Sequence, residues 1–148
     1  MAMPKLKNLA QGAMGNATEV SVENLTADFG DYIWDDEAIV EGYRLIRDVV
    51  IFTDIRILLI DKQGATGKKT AIRSVYLSHV IDVRMETGGA GLDDCELIIS
   101  YLANVNRRAH TETVLPFKLE FPKSMDITPL YRALGALVTA NRNEINDI

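Results

Sequence analysis

Seven short segments rich in β-branched and aromatic residues follow one another between residues 38 and 121, and no helical pattern interrupts them. Short runs of this composition, separated by turn residues, are typical of strands. Successive parallel strands need long crossover connections, usually helices, so this series predicts an antiparallel sheet that curls and buries one face. The predicted strands are 38–46, 48–53, 56–61, 70–77, 80–86, 94–102 and 113–121.

The strands differ in the number of faces that their patterns predict to be buried. Segments 81–86 and 115–121 alternate between apolar and polar residues, which indicates one buried face and one wet face. Segments 49–52 and 57–60 are instead continuously apolar, so both faces of this hairpin should be covered. Because an uncovered strand of this kind aggregates readily, we expect either the N-terminal part of the chain or a neighbouring subunit to lie over it.

Helical spacing occurs on both sides of the strand series. Residues 6–14 place apolar residues on one side of a helix that stops at Gly15, and a second short helix follows the N-cap Ser21 and ends at Gly30. After the last strand, segment 126–143 carries an apolar stripe at spacings of three and four. An amphipathic helix that arrives last can close the open end of a curled sheet. The stripe contains Ile127, Leu130, Tyr131, Leu134, Leu137 and Val138.

The predicted fold class is therefore mainly β with α. It is an antiparallel seven-stranded β-barrel capped by a C-terminal α-helix, with short N-terminal helices. At 148 residues the chain fits one domain with its own core. We divide it into an N-terminal helical extension (1–30), a strand-rich domain (31–143) and a C-terminal tail (144–148).

Charge and cysteine content narrow the location and the partners. Subtracting 21 acidic from 16 basic residues gives a formal charge of −5, which disfavours nonspecific binding to nucleic acid or to an anionic membrane. Cys95 is the only cysteine, so an intramolecular disulfide is excluded. Residues 1–15 lack the apolar segment of a signal peptide, and no apolar run approaches the length of a membrane span. We expect a cytoplasmic protein with no nucleic-acid partner and no integral membrane association.

The strand region contains a series of short motifs. They are Gly42-Tyr-Arg-Leu-Ile-Arg-Asp48, then Ile51-Phe-Thr-Asp54 with Arg56, then Asp61-Lys-Gln-Gly64 followed by Thr66-Gly-Lys-Lys69, and later Glu86-Thr-Gly88 and Asp126-Ile127. In this order, over about residues 31–140, they resemble the bacterial pleckstrin-homology (PH) domain family. The resemblance implies a PH-like barrel for 31–143, often assembled into cyclic homo-oligomers, with no catalytic activity and no settled ligand. Lipid-binding PH domains of eukaryotes cluster basic residues about their first hairpin. Only Arg44 and Arg47 stand there in this chain, so phosphoinositide binding is not implied.

The loop between the third and fourth strands is the candidate ligand site. Its glycines, Gly64 and Gly67, allow backbone amides to point outward, while nearby lysines supply positive charge. A flexible hairpin loop with solvated lysines predicts the same residues. The candidate anion-binding residues are Lys62, Gly64, Gly67, Lys68, Lys69 and Arg73.

No constellation of residues predicts catalysis, a metal site or a cofactor. His79, His110 and Cys95 lie in different predicted strands or turns, and Cys95 has the apolar context of a small packing residue. The acidic runs 35–37 and 93–96 carry the carboxylates that a hard cation prefers, but solvated charge at turns is the commoner meaning. The pair Arg107-Arg108 with His110 could meet a phosphate, although a polar hairpin tip predicts the same residues.

These observations favour a non-catalytic interaction module that self-associates into a homo-oligomer. Because the continuously apolar hairpin needs cover, we predict that it forms the interface, with Val50 pointing outward. Such a surface would also fit a different protein as its partner. The alternative function is binding of a small anionic ligand or lipid headgroup by the loop 62–69. The predicted interface residues are Val49, Val50, Ile51, Ile57 and Leu59.

Overall fold

A computed structural model of the chain describes residues 19–63, 69–88 and 94–148, without the side chains of residues 62 and 63. The helix predicted at 6–14 lies outside these residues. The described strands are β1 (Glu19–Val20), β2 (Ile39–Arg44), β3 (Asp48–Thr53), β4 (Arg56–Gln63), β5 (Lys69–Tyr76), β6 (Val80–Glu86), β7 (Cys95–Leu102) and β8 (Val114–Phe121). The described α-helices are α1 (Val22–Phe29) and α2 (Thr128–Ile145), and short 3-10 helices occupy Gly30–Tyr32 and Leu77–His79.

All seven predicted strands are confirmed, and so are the two predicted helices that fall in the described ranges, with ends that differ by one or two residues. β1 was not predicted, because two residues are too few for a recognisable pattern. Pairing is antiparallel throughout the described residues. Their strands divide into a five-stranded sheet, β1-β2-β3-β4-β5, and a three-stranded sheet, β6-β7-β8. The fold is thus mainly β with a C-terminal helix, and its described strands form two packed sheets that do not close into a continuous barrel.

The main core lies between the two sheets and α2. Tyr43 on β2 meets the rings of Phe52 and Phe121 edge to face, at centroid distances of 6.3 and 6.1 Å. The apolar stripe of α2 closes this core, as its spacing predicted: Ile127, Leu130, Leu134, Leu137 and Val138 are all buried in it. Asp126 accepts a hydrogen bond from the backbone N–H of Thr128 at 3.1 Å and so satisfies one donor at the helix start.

A second, smaller core lies on the outer face of the five-stranded sheet, beneath α1. Ser21 caps this helix by accepting a hydrogen bond from the N–H of Asn24 at 3.2 Å, and Gly30 is its C-cap. Both faces of the β3–β4 hairpin are therefore covered, as predicted, and the cover on the outside is the chain's own N-terminal helix. Leu25 and Phe29 of α1 pack there against Val49, Ile51, Leu58 and Ile60.

Candidate functional site

The predicted interface residues on β3 and β4 lie inside the chain. Val49 and Ile51 face α1, whereas Val50 and Ile57 are fully buried in the main core, against which Leu59 also packs. The outward orientation expected for Val50 was wrong. Val50 is paired in register with Tyr43 and Leu59 and shares their inward face. A role for these residues between copies of the chain stays a prediction.

The predicted anion site falls only partly in the described residues. Gly64, Gly67 and Lys68 lie outside them, and so does the side chain of Lys62. Gln63 pairs with Lys69 in register, which confirms a hairpin between β4 and β5. The exposed Arg73 lies further along β5, with its guanidinium carbon 5.0 Å from the centre of the Phe117 ring. Within the described residues, Lys69 and Arg73 are the predicted site residues that share a face of one strand.

An apolar cleft of about 400 Å³ opens between the end of β5 and the end of β7. Its apolar walls come from Val75 and Tyr76 on one side and from Tyr101, Leu102 and Val105 on the other. Ser78, His79 and Asn104 add polar groups. Clefts of this kind, mainly apolar with a few polar groups, are where binding sites usually occur.

The loop beside this cleft is held by its two arginines. Arg107 donates to the carbonyl oxygen of Ser78 at 2.9 Å and pairs with Glu144 on α2. Arg108 donates to the carboxylate of Asp147 at 2.6 Å and to the carbonyl oxygen of Glu144 at 2.8 Å. The sequence offered this pair as a phosphate contact, but both guanidinium groups bind the C-terminal end of the chain. They fix the position of one cleft wall relative to α2.

A buried ion pair joins the segment after α1 to the β3–β4 hairpin. The guanidinium of Arg56 donates two hydrogen bonds to the carboxylate of Glu37, from Nε at 2.7 Å to one oxygen and from Nη2 at 2.8 Å to the other. The side chain of Glu37 is 0% exposed and that of Arg56 is 3% exposed. Thr53 Oγ1 and the backbone N–H of Trp34 also donate to this carboxylate, at 2.7 and 3.0 Å. Burial alone would raise the pKa of Glu37, but these hydrogen bonds and the Arg56 charge outweigh it and lower the pKa.

Arg56 also supports the exposed ring of Trp34. The guanidinium carbon lies 4.0 Å from the ring centre, and Nη2 donates to the carbonyl oxygen of Tyr32 at 2.7 Å. Nη1 donates to Ser74 Oγ at 2.9 Å. Glu37 was expected to be solvated charge in the run 35–37, and the structure corrects that expectation. An arginine in the otherwise apolar hairpin was the sequence signal for a buried acidic partner.

Glu41 is a second buried acid, and no basic side chain of the described residues pairs with it. Glu41 is 2% exposed, and within the described ranges neither of its carboxylate oxygens has a hydrogen-bond partner of normal geometry. Burial raises the pKa of Glu41 to about 7, with a smaller contribution from the charge of Glu19 on β1, while the neighbouring Tyr43 hydroxyl partly opposes the rise. The pKa of Tyr43 is raised as well, by its own burial and then by Glu41. Nothing in the strand pattern of β2 indicated that this acid faces inward.

The residues weighed for catalysis stay apart in the structure. Cys95 is buried in the main core, which confirms the packing role that its context predicted. His79 lies in the apolar cleft, with its Nδ1 3.0 Å from Ser78 Oγ and its Nε2 3.3 Å from the carbonyl oxygen of Val105. His110 is exposed.

Comparison with known proteins identifies the family. The sequence model of the protein family described as the bacterial PH domain matches residues 8–138. The chain belongs to the bacterial PH domain family. Its relatives include the uncharacterized protein YjqA of Bacillus subtilis, which is 35% identical over 88 residues, covering 60% of this chain and 70% of YjqA.

Two solved structures share this PH fold. A protein with a pleckstrin-homology domain from Shewanella loihica is 31% identical, with a TM-score of 0.63, over 84% of this chain and 98% of that one. A pleckstrin-homology domain from Shewanella amazonensis is 29% identical, with a TM-score of 0.62, over 86% of this chain and 96% of that one. These comparisons confirm the resemblance to the bacterial PH domain family that the sequence motifs indicated. Neither described helix has the length and hydropathy that crossing a membrane requires.

Proposed function

We propose that this bacterial PH domain is a non-catalytic binding module that associates with further copies of itself through the apolar cleft and the strand ends beside it. The observation that carries the proposal is an unpaired apolar surface. Tyr76 and Val105 in the cleft are 46% and 98% exposed, and next to them Val114 and Leu115 are 47% and 42% exposed. A cluster of exposed apolar side chains at one end of the fold marks an interaction site.

The register of the second sheet joins Leu115 to the cleft. Leu115 pairs with Tyr101, so these two side chains share a face, while Val114 pairs with Leu102 and points to the opposite face of β8. β5 and β8 are edge strands of their sheets in the described part of the chain. Edge strands present unpaired backbone groups that a second chain can use. The hairpin 49–60, which the sequence predicted as the interface, is covered by α1 on one face and by the main core on the other. We therefore propose the exposed strand ends as the interface instead.

The test is the mass of the full chain in solution, measured by light scattering during size-exclusion chromatography at about 0.15 M and about 1 M salt. We expect a discrete multiple of 16.4 kDa that survives high salt, because an apolar interface is not screened. Leu115→Lys should reduce the mass to one chain. Val22→Lys, which places the same charge at a 39% exposed valine on α1, should leave the oligomer intact. A monomeric wild type would end the proposal, and an unchanged Leu115→Lys oligomer would exclude this surface.

Anion binding by the loop 62–69 is the second candidate. It is supported by Lys69 and Arg73, two exposed cations on one face of β5, about 13 Å apart at the usual rise per strand residue. Binding of inorganic phosphate or of a glycerophosphate headgroup should weaken with salt and be lost in the Lys68→Ala, Lys69→Ala double variant. Equal binding by wild type and double variant would contradict this function.

A further inference from the structure

The surface around Trp34 lies apart from the proposed cleft and has a different chemistry. Trp34 is 53% exposed, and Tyr32 and Ile55 beside it are 38% and 36% exposed. Trp34, Ile33 and Ile55 line a shallow cleft of about 640 Å³. Exposed tryptophan and tyrosine are over-represented among the residues that contribute most to binding energy at protein interfaces.

The Trp34 ring is held in place by Arg56, which packs against one of its faces. One face lies on the guanidinium of Arg56, whose own position is fixed by hydrogen bonds to Glu37, Ser74 and the carbonyl oxygen of Tyr32. The backbone N–H of Trp34 is bound by Glu37 as well. The indole is therefore ordered before any partner arrives, so binding does not incur the entropic cost of immobilising it.

Negative charge surrounds this ring. Asp31, Asp35 and Asp36 line the same cleft and are exposed, and none of them forms an ion pair in the described part of the chain. The fourth acid, Glu37, is neutralised by Arg56. An aromatic face within a field of three uncompensated carboxylates attracts cations and repels anionic membranes and nucleic acid.

We propose that this surface binds a basic segment of a partner protein, with a lysine or arginine side chain over the free face of Trp34 and neighbouring apolar residues against Ile55 and Tyr32. Charge complementarity selects the partner, because a cation over the indole ring is attracted both by the ring and by the three carboxylates. This function is independent of self-association through the apolar cleft, since the two surfaces share no residue.

Trp34 is the only tryptophan in the chain, so its fluorescence reports on this surface alone. The probe is a short synthetic peptide of lysine, arginine and leucine spaced by glycine, and its counterpart carries glutamate at each basic position. Titrated into the full chain, the basic peptide should change the Trp34 emission to saturation, and added salt should weaken its binding. The acidic peptide should leave the emission unchanged. Equal responses to both peptides would overturn the proposal.

The matched variants separate local charge from net charge. Asp35→Asn with Asp36→Asn should weaken binding of the basic peptide about tenfold, because two carboxylates beside the ring are removed. Asp94→Asn with Glu112→Gln makes the same change in net charge at exposed acids elsewhere and should leave the affinity within about twofold. An equal loss in both pairs would overturn the proposal. So would a Trp34 emission that changes with protein concentration alone, because a second copy would then occupy the surface.

Discussion

The carboxyl group of Glu41 and the hydroxyl group of Tyr43 interact with each other in the protein interior, and among the described residues neither forms a hydrogen bond of normal geometry. Both are acids, so ionisation of either would place an unpaired charge in an apolar environment. Burial therefore raises the pKa of each group, to about 7 for Glu41. Burial thus favours the protonated form of Glu41 in the folded protein.

This arrangement predicts that the protein loses stability as the pH rises from weakly acidic to neutral. Glu41 has its ordinary pKa of 4.5 in the unfolded chain and a pKa of about 7 in the folded one, so its contribution is fully present below about pH 4.5 and is lost as the pH rises through 7. The difference corresponds to about 3 kcal/mol in the free energy of unfolding. Urea unfolding across this range measures it. Glu41→Gln should remove this part of the pH dependence, and a variant with the same dependence as wild type would contradict it.

Removing one partner of the buried ion pair should be costly. Arg56→Met leaves the Glu37 carboxylate buried without its counter-charge, and we expect a loss of about 3–5 kcal/mol in the free energy of unfolding. The pKa of Glu37 is lowered in the fold, so its contribution is present above its ordinary pKa of 4.5 and is lost as the pH falls below it. Urea denaturation near neutral pH measures the loss. Adding Glu37→Gln to Arg56→Met should restore part of the stability, and additive losses would refute the coupling.

The contact between β2 and α1 predicts that Gly42→Ala is destabilising. A Cβ atom at Gly42 would lie 2.7 Å from Leu25 Cδ1 and 3.0 Å from the carbonyl oxygen of Val50, and the backbone oxygen has little room to move. We expect a loss of about 1–3 kcal/mol by thermal or urea unfolding. Gly135→Ala in α2 is the matched control. Its Cβ would meet nothing within 4 Å, so helix propensity should make it stabilising by up to about 1 kcal/mol. A neutral Gly42→Ala would show that α1 does not pack this closely.

Among the polar residues of α2, Asn141 should be the one whose replacement destabilises the fold most. Its Nδ2 donates to the carbonyl oxygens of Leu77 at 2.7 Å and Val80 at 2.8 Å, and the residue is fully buried. Asn141→Ala leaves both carbonyls without this donor, and we expect a loss of about 2–4 kcal/mol in the free energy of unfolding. The exposed Asn143→Ala should change it by less than about 0.5 kcal/mol. Similar losses in both variants would argue against the two buried hydrogen bonds as the cause, because replacing Asn by Ala favours the helix at either position.

Most of the fold was predictable because its signals are local. The strand composition, the Ser21 cap and the spacing of Leu130 and Leu134 each describe an element without reference to its neighbours. The orientation of Val50 was not predictable, because a continuously apolar run has no alternation from which to tell its two faces apart. α1 and the opposite sheet cover the two faces of this hairpin, and only the tertiary arrangement assigns a face to each.

The candidate sites depended on tertiary contacts to a greater extent. Glu37 resembles its acidic neighbours Asp35 and Asp36 in the sequence, and only its distance from Arg56 distinguishes it. Glu41 occupies a strand in which a bulge between Ile39 and Glu41 shifts the register, so a simple period of two does not give its direction. The glycines and lysines of the loop 62–69 predict an anion site from the sequence, and anion binding by that loop stays a prediction.

The position of α1 ahead of the hairpin that it covers has a consequence for biosynthesis. Leu25 and Phe29 leave the ribosome before β3 and β4, whose outer face they cover in the finished protein. A helix of eight residues is too short to persist alone in water, so α1 gains stable helical structure only after the hairpin that follows it has been synthesised. Until the hairpin has folded against α1, the growing chain exposes first the apolar residues of α1 and then the outer face of the hairpin, and exposed apolar surface of this kind makes a nascent chain prone to misassociation.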